Sequence, residues 1–119
     1  MDYNKKIGNF GENIAREYLI RHNYKIIGAN VKISYWEIDI IARKGEEIVF
    51  IEVKTRTSAN FGQADEAITD RKINNYSQAA LNYLNENKID EKSLRFDLIS
   101  LDLDRGNKIA KIKHYKGIM

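Results

Sequence analysis

Two charged triplets could do chemistry in this chain: Glu37-Ile38-Asp39 and, thirteen residues beyond the aspartate, Glu52-Val53-Lys54. Alternate side chains of an extended strand share a face, so Glu37 points with Asp39 and Glu52 with Lys54, and a hairpin brings the four together. Asp39 and Glu52 are hard oxygen donors of the kind Mg²⁺ and Mn²⁺ take. Two carboxylates, waters and a substrate phosphate complete an octahedron, with the Val53 carbonyl as a further donor. Lys54 is placed to position or deprotonate an attacking water, or to stabilise charge growing on phosphoryl oxygens. Together these are the parts of a metal-dependent phosphodiesterase.

The segment leading to Glu52, Ile48-Val49-Phe50-Ile51, is apolar on both faces, as a buried central strand is, and turns charged only at its end. An uncompensated charge there costs several kcal/mol, on the order of a fold's whole margin, and a divalent cation would offset it. The plainer alternative is a cross-strand Glu–Lys ladder on a solvated sheet face. The doubly apolar strand and a third carboxylate, Glu12, weigh against it.

Several elements must position these residues. Ile7, Phe10, Ile14 and Tyr18 recur at spacings of three and four, with Leu19 beside them, and predict a helix from about Asn4 to about Arg21 that Asn23 ends. Glu12 falls at the edge of that stripe beside Gly8 and Ala15, whose small size lets the helix approach a sheet closely. Tyr24 to Ile33, Glu37 to Arg43 and Glu47 to Thr55 read as three strands of an antiparallel meander. After the polar stretch from Thr55 and the pair Phe61-Gly62, a second helical face carries Ile73, Tyr76, Ala80, Tyr83 and Leu84, with Thr69 or Asp70 as its cap. That stripe reads as core and not as a base-stacking platform. Leu94 to Leu103 and Lys108 to Tyr115 predict two closing strands around an Asp104-Arg105-Gly106-Asn107 turn. With the second helix as a crossover, the strand after it lies parallel to the central one. The expected fold class is α/β, a central mixed β-sheet of about five strands flanked by helices. His22 and His114 lack a ligand-spaced partner and are expected at the surface.

A chain of 119 residues suits a single domain over 1–119. Twenty Lys and Arg against seventeen Asp and Glu leave a charge of +3, which allows nucleic-acid binding without demanding it. The absence of cysteine excludes disulfides, a thiolate zinc site and a cysteine nucleophile. It fits a cytoplasmic protein. No run approaches the ~18 apolar residues of a membrane span, and the first residues hold no apolar signal core, so no membrane partner is expected.

Taken together, Gly11-Glu12, Asn30, Glu37-Ile38-Asp39, Phe50-Ile51-Glu52-Val53-Lys54-Thr55-Arg56, Phe61-Gly62, Lys72 and Arg95-Phe96-Asp97 resemble, over nearly the whole chain, the YraN-like (UPF0102) family of predicted endonucleases in the PD-(D/E)XK nuclease superfamily. At this level archaeal Holliday-junction resolvases look similar. The resemblance implies a restriction-endonuclease-like core, with Glu12, Asp39, Glu52 and Lys54 at its catalytic positions and Glu12 as a third metal ligand or an orienter of metal water. Trp36 stands where the family usually has glycine, and Lys32 where it usually has arginine; the lysine keeps a positive charge but loses the bidentate fork for phosphate. Trp36 either packs on the protein or stacks with a base.

Backbone-phosphate contacts are expected from Lys32, Arg56, Arg71 and Lys72, and Glu37 is read as holding a basic side chain or as a further ligand. The sequence thus leads to an Mg²⁺- or Mn²⁺-dependent endonuclease acting on branched or structured DNA, with RNA left open as a substrate. Symmetric cleavage of two strands would favour a homodimer. The alternative is a non-catalytic nucleic-acid-binding module on a nuclease fold.

Overall fold

The computed structural model describes residues 3–33, 35–57, 70–89, 94–104, 106 and 109–118, with the side chains of 3–5, 70–73 and 109 left aside. Its elements run α1 (Tyr3–Arg21), β1 (Lys25–Ile33), β2 (Trp36–Lys44), β3 (Glu47–Arg56), α2 (Asp70–Glu86), β4 (Leu94–Asp104) and β5 (Ile109–Tyr115). The five strands form one sheet in chain order. β1–β2, β2–β3 and β4–β5 pair antiparallel, whereas β3 and β4 pair parallel, so the sheet is mixed and α2 is the crossover. This is the α/β class that the strand and helix patterns predict.

The central strand is buried on both faces because it carries apolar residues at consecutive positions. Val49 and Ile51 pack with Ala15, Leu19, Ile40, Ile99 and Leu101 under α1, while Ile48 and Phe50 pack with Ala79, Ala80 and Phe96 under α2. Phe50 meets the rings of Tyr83 and Phe96 edge to face, and burial of a side chain of this size is worth about 1.5–3 kcal/mol. Tyr76, Tyr83 and Leu84 are core packing, as expected.

Helix α1 ends where the sequence suggests. Asn23 takes a left-handed conformation at φ 68°, its amide bonds to Ile20 O, and the Tyr24 amide reaches back to Leu19 O at 2.9 Å, a Schellman closure. Two expectations for this helix need correction. Phe10 is 55% exposed, because the buried stripe runs through Gly11, Ala15 and Leu19 and leaves Phe10 beyond its edge. The close approach to the sheet is made at Gly11 and not at Gly8: a Cβ on Gly11 would stand 2.9 Å from the Thr55 Cβ, whereas one on Gly8 would meet open space. Thr69, Phe61-Gly62 and, in the β4–β5 turn, Arg105 and Asn107 fall outside the described residues.

A buried ionic cluster ties β4, β5 and α1 together. The fully buried Asp97 carboxylate accepts hydrogen bonds from Arg95 Nε (3.0 Å) and Nη2 (2.9 Å), from the Gly117 amide (3.0 Å) and from His114 Nε2 (2.6 Å). His114 Nδ1 lies 3.0 Å from Tyr18 Oη, while Arg95 also reaches Tyr24 Oη at 2.6 Å and Glu47 at 3.1 Å. Burial raises the Asp97 pKa, but the bonds from His114, Arg95 and Gly117 outweigh it and leave the carboxyl below its usual range. The surface placement expected for His114 is therefore wrong: its side chain is 5% exposed. Its partner lies seventeen residues away on the neighbouring strand, a distance at which linear spacing gives no cue. His22 is exposed, as expected.

Candidate active site

The site forms where the regular sheet gives out. The β2–β3 ladder runs from Lys44 opposite Glu47 to Ile40 opposite Ile51 and ends there. A backbone amide beyond a ladder still needs an acceptor, and the Val53 amide donates to Asp39 Oδ2 at 2.9 Å. Asp39 thus supplies with its side chain what the strand would otherwise supply with its backbone.

The cause of this departure lies on β1. Its pairing with β2 passes from Ala29–Ile40 to Val31–Ile38, which sets Asn30 opposite Asp39. Asn30 has φ 52°, a left-handed conformation that asparagine tolerates better than most residues. Ile40 packs into the core beneath α1, but Ile38, two residues earlier, packs into the core beneath α2. Strict alternation would put both on one face, so the hairpin turns over at the Asn30–Asp39 step. Asn30 also donates from its side chain to the Glu12 carboxylate, and the close packing of Gly11 on Thr55 brings Glu12 to that point.

Electrostatics join these residues. The pKa of Asp39 is pushed up to about 7, first by burial and then by the charge of Glu52, with smaller contributions from Glu12 and Glu37 against the Val53 hydrogen bond. Glu12 is raised as well, chiefly by burial, with Glu37 and Glu52 adding to it while Asn30 and Arg16 oppose it. Glu52 is buried, and Lys54 Nζ stands 3.8 Å from its Oε1, so the two share a face as their two-residue spacing requires. Acid crowded against acid at a buried strand end is the converse of the Asp97 cluster.

Among the described residues no group of three or more His, Asp or Glu side chains is arranged to hold a metal ion. The donor set that suits a hard divalent cation is the Asp39–Glu52 pair with the Val53 carbonyl, because Mg²⁺ is commonly held by one or two carboxylates and completes its shell with water and substrate oxygens.

Comparison with known proteins places the chain in a lineage. The model of a family described as "Uncharacterised protein family UPF0102" matches residues 11–101, which include Glu12, Asn30, Asp39, Glu52 and Lys54. The chain belongs to UPF0102. It is 40% identical to a UPF0102 protein of Syntrophomonas wolfei, over 93% of this chain and 95% of the relative. It is 42% identical to one of Geobacter metallireducens, over 94% of this chain and 90% of the relative. The YraN-like resemblance carried by the motifs is thereby upheld. A solved structure, Pyrococcus furiosus SfsA in complex with Ca²⁺, aligns with a TM-score of 0.39 at 12% identity over 94% of this chain, which spans 63% of that one.

The remaining sequence-predicted residues of this UPF0102 chain are distributed unevenly about the site. Glu37 is exposed on β2 and directly opposite Lys32, also exposed, on β1. Trp36 is half-buried and packs against the core beneath α2, in register with Ile33. Arg56, half-buried, ends β3 opposite Asp102 on β4. Arg71 and Lys72 lie in the first turn of α2, with side chains outside the described set. Sequence reasoning missed the part played by Asn30. The available signal was an asparagine inside an otherwise strand-forming run, a residue type suited to a positive φ.

Proposed function

We propose that this UPF0102 protein is an Mg²⁺- or Mn²⁺-dependent endonuclease that hydrolyses DNA phosphodiester bonds, with branched or otherwise structured DNA as its substrate. The observation that supports this most is the convergence of Asp39 and buried Glu52 where the β2–β3 ladder ends, with Lys54 3.8 Å from Glu52. In this reading Asp39 and Glu52 hold the cation, and the Val53 amide fixes which Asp39 oxygen faces inward. A divalent cation at this place would lower the pKa of an attacking water and offset charge on the phosphate. Glu12, oriented by Asn30, accepts a hydrogen bond from the water that approaches the phosphorus or adds a further ligand. Lys54 donates to the phosphoryl oxygens as their charge grows, or takes part in delivering the water.

The test is cleavage of labelled single-stranded, duplex, flap and four-way-junction DNA with Mg²⁺ or Mn²⁺, comparing the wild type with an Asp39→Ala, Lys54→Ala double variant. Cutting by the wild type alone, strongest on a branched substrate, is the expected result. Binding without cutting under every metal condition would instead mark a nucleic-acid-binding module, and equal cutting by the variant would mark a contaminant.

A further inference from the structure

Pairing across β3, β4 and β5 sets residues in rows on the face that carries Glu52 and Lys54. Lys54 lies opposite Ser100, which is buried, and Ser100 lies opposite Lys113; Arg56 lies opposite Asp102, which lies opposite Lys111. Residues in register on neighbouring strands share a face. The packing agrees with this assignment: Ile99 and Leu101, on either side of Ser100 on β4, go to the core beneath α1, and so does His114, opposite Ile99, through its bond with Tyr18. Lys111 and Lys113 therefore project to the other side, and both are exposed. At about 4.8 Å per strand, Lys113 stands about 10 Å from Lys54 across the sheet, and the second row follows about 7 Å further along. Helix α2 lies over β1, β2 and Phe50 on this same side.

We propose that this face continues the candidate active site as a track for nucleic-acid backbone, with Lys113 and Lys111 contacting phosphates that flank the scissile one held at Glu52 and Lys54. The proposal rests on the endonuclease reading for the place of the scissile phosphate, and it names the surface that reading left unassigned. Charge complementarity selects the occupant: Lys54, Arg56, Lys111 and Lys113 carry four positive charges against Asp102 and, at the exposed end of β4, Asp104, beside one acidic pocket. A polyanion with regularly spaced charges fits such a surface, gaining affinity by releasing its counterions. Lysines at a sheet edge also discourage edge-to-edge aggregation, which is the competing explanation.

The test measures affinity for a labelled four-way junction and for duplex DNA across a salt series in the intact protein. It compares the wild type, a Lys111→Gln, Lys113→Gln variant, and a Lys25→Gln, Arg43→Gln control that removes two exposed charges from the opposite edge of the sheet. Loss of two phosphate contacts should reduce the slope of log affinity against log salt by about 2 and weaken binding on the order of tenfold near 0.1 M salt, with the control close to wild type. Equal loss in both variants would overturn the track in favour of bulk charge. Unchanged affinity with self-association of the β5 variant would overturn it in favour of edge protection. A wild type that binds through Lys111 and Lys113 but never cuts would sustain the surface while removing the endonuclease reading; failure of the wild type to bind would remove both.

Discussion

Two aspartates of one sheet, Asp97 buried and Asp39 half-buried, have opposite surroundings. Asp97 is met by Arg95, His114 and the Gly117 amide and is held below the usual carboxylate range, whereas Asp39 is met by Glu52, Glu12 and Glu37, keeps one backbone amide, and is pushed up to about 7. Burial raises both, so burial alone cannot explain the contrast; the hydrogen bonds that Asp97 accepts from His114, Arg95 and Gly117 overcome it, whereas the carboxylates facing Asp39 add to it. A carboxylate whose partners are already built into the protein fastens the structure. One whose neighbours share its charge places a standing cost on the fold and suits an incoming cation.

The largest expected effect follows from breaking the fastened cluster. Asp97→Ala leaves Arg95 and His114 facing each other without their shared acid and should cost about 3–5 kcal/mol, seen as a collapse of the denaturation midpoint. Asp97→Asn, which keeps the shape and some hydrogen bonds, should cost less.

The same change in the other cluster should act in reverse. Asp39→Asn removes a disfavoured charge while leaving an oxygen for the Val53 amide, so it should raise the Tm of metal-free protein at pH 8 by about 2–5 °C while abolishing DNA cleavage. A drop in Tm would show that Asp39 is structural.

The two aspartates also predict different pH dependences. Asp97 titrates lower in the folded chain than in the unfolded one, so its stabilisation is complete above about 4 and is lost as the pH falls through the folded value. Asp39 titrates higher when folded, so folding takes up a proton between about 4 and about 7, and the metal-free protein should lose stability as the pH rises across that window. Denaturation of wild type, Asp97→Asn and Asp39→Asn from pH 3 to 8 separates them: each variant should flatten only its own limb.

A smaller effect is expected at Gly11. An added methyl there meets the Thr55 side chain, and overpacking of about 1–3 kcal/mol, partly offset by about 1 kcal/mol of helix propensity, should displace α1 and Glu12. Gly11→Ala should therefore lower cleavage more than it lowers Tm. Equal rates would detach Glu12 from the chemistry.

Much of this was legible in the sequence, and the exceptions share a cause. The mixed sheet, the crossover helix and the shared face of Glu52 and Lys54 follow from local periodicity, which the backbone enforces residue by residue. Phe10 and Gly8 were misjudged because a helical stripe fixes a broad sector and not its edges, and only the partner surface at Thr55 decides which glycine meets it. His114 and Asp97 meet across strands, through a register that the sequence does not spell out. The turning-over of the hairpin at Asn30 and Asp39 breaks the very alternation from which strands are read, so the local rule fails where the candidate chemistry sits.

The most direct measurement is a calorimetric titration of Mn²⁺ into the wild type, Glu52→Gln and Asp97→Asn, each confirmed folded by its circular dichroism. Binding by the wild type and by Asp97→Asn, with at least tenfold weaker binding by Glu52→Gln, is the predicted result. No uptake by the folded wild type, or equal uptake by Glu52→Gln, would contradict the assignment of the acid-crowded cluster as the metal centre.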